Sequence, residues 1–113
     1  MPSYVEPMIQ GLTAILARIA ARRKSGKLDD AEAELAETFR RIAGVTPELL
    51  DAVGAEAVAA QVTNPERILA LSDLCSERAE IAAARGDSAS AERWRRHAEV
   101  VRGRAGRPGT GAS

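Results

Sequence analysis

The chain has one cysteine, one histidine, three aromatic residues and no net charge. Each shortage removes a class of function. A lone Cys75 excludes an intramolecular disulfide and fits a reducing compartment. A lone His97 without clustered cysteines leaves zinc no ordinary ligand set. Sixteen basic side chains balance sixteen acidic ones, so no whole-chain field favours nucleic acid or acidic membranes. No apolar run approaches the roughly 20 residues of a membrane span. The opening MPSYVEPMIQ has neither a basic n-region nor an apolar h-region, so no secretion signal is expected and the expected location is cytoplasmic. β-branched residues never cluster with period two, so no strand competes with a helical reading.

Alanine is what the chain has in plenty, and alanine is the best helix former. Its 113 residues suit one domain with a single modest core. The pattern predicts an all-α fold of about six helices. The first runs from Pro7 (or Ser3) to Ser25, with Val5, Met8, Leu12, Ile15 and Ile19 on one face and Ile9 and Leu16 beside them. The second spans 29–43, capped by Asp29 and ended by Gly44, with Ala31, Leu35, Phe39 and Ile42 inward. Thr46–Pro47 opens a short helix whose buried candidates are Leu49, Leu50 and Val53, and a second short helix reaches Val62. Asn64–Pro65 opens the fifth, to about residue 85, with Ile68, Leu71, Cys75, Ala79 and Ala82 as its stripe. Asp87 or Ser88 caps the sixth, in which Ala91, Trp94, Ala98 and Val101 share a face. Residues 1–102 form the expected domain, and the Gly-rich 103–113 a disordered tail.

Residues 22–34, RRKSGKLDDAEAE, pass from a basic block through Gly26 to an acidic block. Helix dipoles account for the reversal: cations favour the end of one helix, carboxylates the start of the next. The corner has a counterpart. Gly26 precedes Ala31–Glu32 as Gly86 precedes Ala91–Glu92, an offset of sixty residues. A Gly at the turn, Ala five later, a larger apolar residue four after that and a small one three further on resembles the tetratricopeptide hairpin. The first copy supplies Gly26, Ala31, Leu35 and Thr38, and the second Gly86, Ala91 and Ala98 with Ala79 in the preceding helix. The chain departs from that pattern at Ile19, where a small residue is usual, and at Arg95, where an apolar one is expected and Trp94 stands beside it. Adjacent repeats also follow at about 34 residues, and here two short helices fill the interval. The layout is similar to a small bacterial family of tetratricopeptide-like proteins with no assigned activity, through Tyr4, Met8, Ile9, Leu12 and the stretch 44–56. The resemblance implies a fold, two hairpins joined by two short helices, and no chemistry. High Ala and Arg fit a GC-rich genome.

Few residues offer chemistry. His97 stands among Arg95, Arg96 and Glu99, which predicts a solvated helix position. Cys75 sits on an apolar stripe, where a free cysteine is a small core residue; an enzyme using it as nucleophile is the weakest of the readings. Asp73, Glu77 and Glu80 lie three or four apart, the spacing of a solvated acidic face more often than of a metal site. Arg93, Arg95, Arg96, Arg102, Arg104 and Arg107 make the C-terminus basic, so a basic-tail nucleic-acid binder is the alternative function. The aromatic interleaving of a single-strand binder is missing. Neither a catalytic set, nor a cofactor motif, nor a metal-ligand set is expected.

In tetratricopeptide proteins the first helix of each hairpin lines a groove that holds a peptide. The resemblance places that lining at Thr13, Leu16, Arg23 and Lys24 in one copy and at Asp73, Ser76 and Glu80 in the other, one wall cationic and one acidic. Arg23 and Lys24 also suit a helix C-terminus without any partner. The expected function is therefore a non-catalytic protein-interaction or adaptor module. Two hairpins bury little, and stacked arrays usually need three or more units, so a two-fold homodimer is expected.

Overall fold

Gly26 and Gly86 turn the chain in the same way. Both adopt a left-handed backbone, with φ of 80° and 81°. At the first corner Lys27 N–H donates to Arg22 O (2.9 Å) and Gly26 N–H to Arg23 O (3.1 Å). At the second, Asp87 N–H donates to Ala82 O and Gly86 N–H to Ala83 O, both at 3.0 Å. This doubled closure satisfies helix-end carbonyls and needs φ > 0 at its centre, which glycine adopts without a Cβ penalty.

The computed structural model describes residues 11–105. Among them are six helices and no strand: α1 Leu12–Lys24, α2 Leu28–Ala43, α3 Pro47–Val53, α4 Ala55–Ala60, α5 Pro65–Ala84 and α6 Ser88–Ala105. The all-α expectation holds. Three starts follow the capping signals in the sequence. Thr46 Oγ1 accepts from Leu49 N–H (3.1 Å), Asn64 Oδ1 accepts from Glu66 N–H (2.8 Å), and Asp87 Oδ1 accepts from Ser90 N–H (3.0 Å). Pro47 and Pro65 occupy first-turn positions, where a missing N–H is harmless.

Other expectations need correction. Asp29 caps nothing: α2 begins one residue earlier, and the carboxylate accepts from Arg85 Nη2 at 2.8 Å. The predicted fourth helix stops at Ala60 rather than Val62. The last helix runs to Ala105, so Gly103 and Arg104 belong to it and not to a tail. Val5, Met8, Ile9 and the predicted start of the first helix lie outside the described residues.

The helices α1 and α2 form one antiparallel hairpin and α5 and α6 another, with α2 resting on α5. Along α1, Leu12 and Leu16 neighbour Leu69 and Ala70, and Arg23 meets Glu77 further on, so α1 and α5 run parallel. The connector doubles back over α6, where Asp51 of α3 meets Arg93 and Glu56 of α4 meets Arg104.

Small side chains let α5 and α6 approach closely: Cys75, Ala79 and Ala82 from one, Ala91 and Ala98 from the other, all buried. Ser72, fully buried, donates from Oγ to the Ala98 carbonyl at 2.9 Å, so its hydroxyl is satisfied within the interface. The larger volume comes from Ile19, Leu35, Phe39, Leu50, Leu71 and Leu74, none of them exposed. Full burial of such a side chain contributes about 1.5–3 kcal/mol. Ile19 is wholly buried, although the tetratricopeptide pattern has a small residue at its position. Trp94 fills the place that Arg95 does not, its ring edge-on to Phe39 with centroids 6.0 Å apart.

A Cβ on Gly26 or Gly86 would meet nothing within 4 Å, so only the backbone resists substitution. Gly26→Ala and Gly86→Ala are each expected to lower unfolding free energy by about 1–2 kcal/mol. The two single losses should be alike, and the Arg85–Asp29 pair that links the corners couples them in the double variant. Urea melts of the two single variants against the parent chain measure this; clearly unequal losses would contradict the equivalence of the corners.

Candidate interaction surfaces

The basic end of α1 is largely occupied by partners within the chain. Arg18 and Arg22 both donate to Glu34 of α2, from Arg18 Nε and Arg22 Nη1 at 2.6 Å each. The hydrogen bond from Arg18, ahead of its charge and that of Arg22, holds the Glu34 carboxyl below the usual glutamate range. Arg23 reaches the other way. Its Nε donates to Glu77 Oε2 of α5 at 2.7 Å, and its Nη1 lies 3.9 Å from Glu80. The Arg23 and Glu77 side chains are only 16% and 11% exposed. The cationic and acidic walls assigned to opposite sides of a groove are thus neutralised by each other here. Lys24 and Ser76 are exposed and make no side-chain hydrogen bond or ion pair among the described residues.

The other three expected lining residues do come together. Thr13 and Leu16 of α1 and Asp73 of α5, with Leu12, Glu66, Leu69 and Ala70, line a cleft of about 260 Å³ between the two parallel helices. Its floor is apolar. Glu66 and Asp73 stand two helical turns apart on α5, about 10 Å by helix rise. The nearest cation to Asp73 is Arg102 at 3.6 Å, with both side chains about half exposed or more.

Other candidates take different places from those expected. Asp73, Glu77 and Glu80 do not converge on a metal: Glu77 turns inward to Arg23, and no group of three or more ligating side chains forms among the described residues. His97 is not solvated. It is 16% exposed, stands edge-on to Trp94 with centroids 5.0 Å apart, and lies with Nε2 2.9 Å from Asp51 Oδ1. Arg93 Nε donates to the same oxygen at 2.9 Å. Burial alone would raise the Asp51 carboxyl; hydrogen bonds from Arg93 and His97 and the charge of Arg93 outweigh it and hold the group below the usual aspartate range. The α6 arginines that gave the sequence its basic character are mostly paired, with Asp51, Glu92, Asp73 and Glu56. Arg107 lies outside the described residues. Arg78 Nη2 lies 3.5 Å from Glu32, and its guanidinium stands 5.6 Å over the Trp94 ring. Its buried Nη1 has no hydrogen-bond partner among the described residues, and the attraction of the guanidinium to the ring face partly offsets that lack.

The sequence reasoning missed a second apolar surface. Leu49 and Val53, expected inside, are 48% and 52% exposed, and only Leu50 of the three points into the core. With Ala43, Val45, Ala57, Val58 and Gln61 they line a hollow of about 290 Å³ across the end of α2, α3 and α4. The signal was present: Leu49 and Val53 are four residues apart and share one face of α3, while Leu50 stands on the adjacent face, about 100° round the helix from Leu49. Periodicity cannot tell which of two adjacent apolar faces turns inward. The Asp51 lock to α6 decides it, and nothing in α3 alone announces that contact.

Cys75 is fully buried, and desolvation pushes its thiol up to about 12. The folded chain should leave it unmodified by a small thiol reagent at neutral pH, with full reaction only in denaturant; prompt stoichiometric labelling of native protein would contradict its burial. Arg23→Ala should cost roughly 3 kcal/mol, because it strands a nearly buried carboxylate. Adding Glu77→Gln should recover much of that loss, and a double variant as unstable as the single one would show that the pair acts through packing instead. Comparison with known protein families, with curated proteins and with solved structures finds no match to this chain, so the tetratricopeptide-like reading of the two hairpins stays an inference from their residues.

Proposed function

We propose that the chain is a non-catalytic protein-interaction or adaptor module and that the cleft between α1 and α5 receives its partner. One observation carries this reading: an apolar floor of Leu12, Leu16, Leu69 and Ala70 lies beside two carboxylates, Glu66 and Asp73. The partner that fits is a protein segment presenting apolar side chains next to a Lys or Arg. Burial of the apolar groups drives association, and the carboxylates select the sign of the neighbouring charge. The cations of α1 closest to the cleft do not oppose this choice, because Arg18 and Arg22 are held by Glu34 and Arg23 by Glu77; Glu66 has no such partner among the described residues, and a basic residue of the partner would displace the exposed Arg102 from Asp73.

The placement of the chain's nucleophile supports the non-catalytic part. Cys75 is buried in the α5–α6 interface with its thiol pushed up to about 12, while His97 is engaged by Asp51 of α3. The cytoplasm is the location proposed, supported by the single cysteine, which fits a reducing compartment. No helix among the described residues is long and apolar enough to cross a membrane. Self-association as a homodimer is part of the same reading, since two hairpins and a connector give one small core where stacked hairpins usually need more.

Selection from a displayed random-peptide library on the immobilised full chain tests the cleft. Enriched peptides should combine apolar residues with Lys or Arg, and recovery should collapse on a chain carrying Glu66→Arg and Asp73→Arg together. Enrichment without basic residues, or equal recovery on the double variant, would count against this site. Arg23→Glu is a poor probe, because it would bring a third carboxylate to Glu77 and Glu80 and destabilise the fold instead of testing the cleft.

A further inference from the structure

The hollow across α2, α3 and α4 differs from the α1–α5 cleft in one respect that determines its partner: none of its lining side chains is ionisable. Ala43, Val45, Leu49, Val53, Ala57 and Val58 are apolar, and Gln61 is the single polar member. A partner recognised by charge gains nothing there. A two-fold interface sets the same patch against itself, so every charge near the axis meets its like. An uncharged patch carries no such penalty, whereas the α1–α5 cleft would oppose Glu66 and Asp73 to themselves. The patch also holds both halves of a self-complementary relief. Leu49 and Val53 project from α3, half exposed, and Ala43 and Ala57 leave the recess beside them.

The projection is held in place from behind. On the other side of α3, Leu50 is fully buried and Asp51 is tied to Arg93 and His97 of α6. Its outer face is thus presented on a braced helix, which reduces the ordering cost of association. Two of the four large apolar side chains exposed among the described residues lie on this one short helix.

We propose that this face is a two-fold homodimer interface, in which Leu49 and Val53 of each copy enter the recess at Ala43 and Ala57 of the other. The proposal rests on the self-association named above and adds its surface. Sedimentation equilibrium of the full chain between roughly 1 and 100 µM tests both, since a homodimer's population follows protomer concentration. The parent chain should move toward twice the monomer mass. Leu49→Glu and, separately, Ala57→Arg should each weaken the dimer by at least about tenfold. Both positions are exposed, and matched far-UV circular dichroism confirms that the fold survives. A parent chain that stays monomeric throughout overturns self-association together with this surface and leaves the peptide cleft standing. A parent dimer that both substitutions leave intact overturns this surface alone.

Discussion

Trp94 is the contact on which the arrangement depends. Phe39 of α2 meets its ring edge-on, Arg78 of α5 covers its face, and His97 stands edge-on one turn along α6. A shallow recess beside it is lined by Pro47, Glu48 and Asp51 of α3. One side chain therefore touches or borders both hairpins and the connector. In a chain so rich in alanine, this aromatic volume fixes the distance between hairpins that could otherwise pack in several registers. The Arg78 guanidinium covers one face of the buried ring while pairing with Glu32 of α2, so the apolar and ionic ties between α2 and α5 coincide.

Charge acts in this structure mainly as a fastener. Arg18 and Arg22 with Glu34 close the first hairpin, Arg23 with Glu77 and Glu80 joins α1 to α5, and Arg85 with Asp29 and Glu32 joins α2 to α5. Most of these pairs are exposed, and each such pair contributes little alone. Their common direction, from one helix to a specific neighbour, favours one stacking over its alternatives. Arg23–Glu77 is the exception in burial and so in strength. Pairing of the same kind takes up most of the arginines of α6, with Asp51, Glu92, Asp73 and Glu56.

Much of the architecture was legible because helix ends carry local chemistry. Thr46–Pro47, Asn64–Pro65, Asp87 and the two turn glycines act through bonds to residues at most five positions away, and each signal held. The inward faces of α2, α5 and α6 were legible too, since Leu35, Phe39, Leu71 and Trp94 recur at helical spacing. Orientation of the short connector was not. Leu49 and Leu50 are adjacent and chemically alike, and their fates diverge through Asp51's contact with α6, over forty residues away in sequence. The cleft was half legible: Thr13, Leu16 and Asp73 meet as the hairpin resemblance implied. Arg23 is drawn out of it by Glu77, a residue that the spacing had grouped with an open acidic face.

The two glycine corners also bear on how the chain reaches this state. Only Arg85, Gly86 and Asp87 separate α5 from α6, so the most extensively packed helix pair forms from neighbours in sequence and spends little loop-closure entropy. Joining α2 to α5 must close the whole segment 44–64, and that segment carries its own two helices. Local hairpin closure followed by docking of one hairpin on the other is the low-contact-order route, the topology associated with fast folding among small helical domains. The barrier then falls on the docking step, where Phe39 must find Trp94 across the long connection.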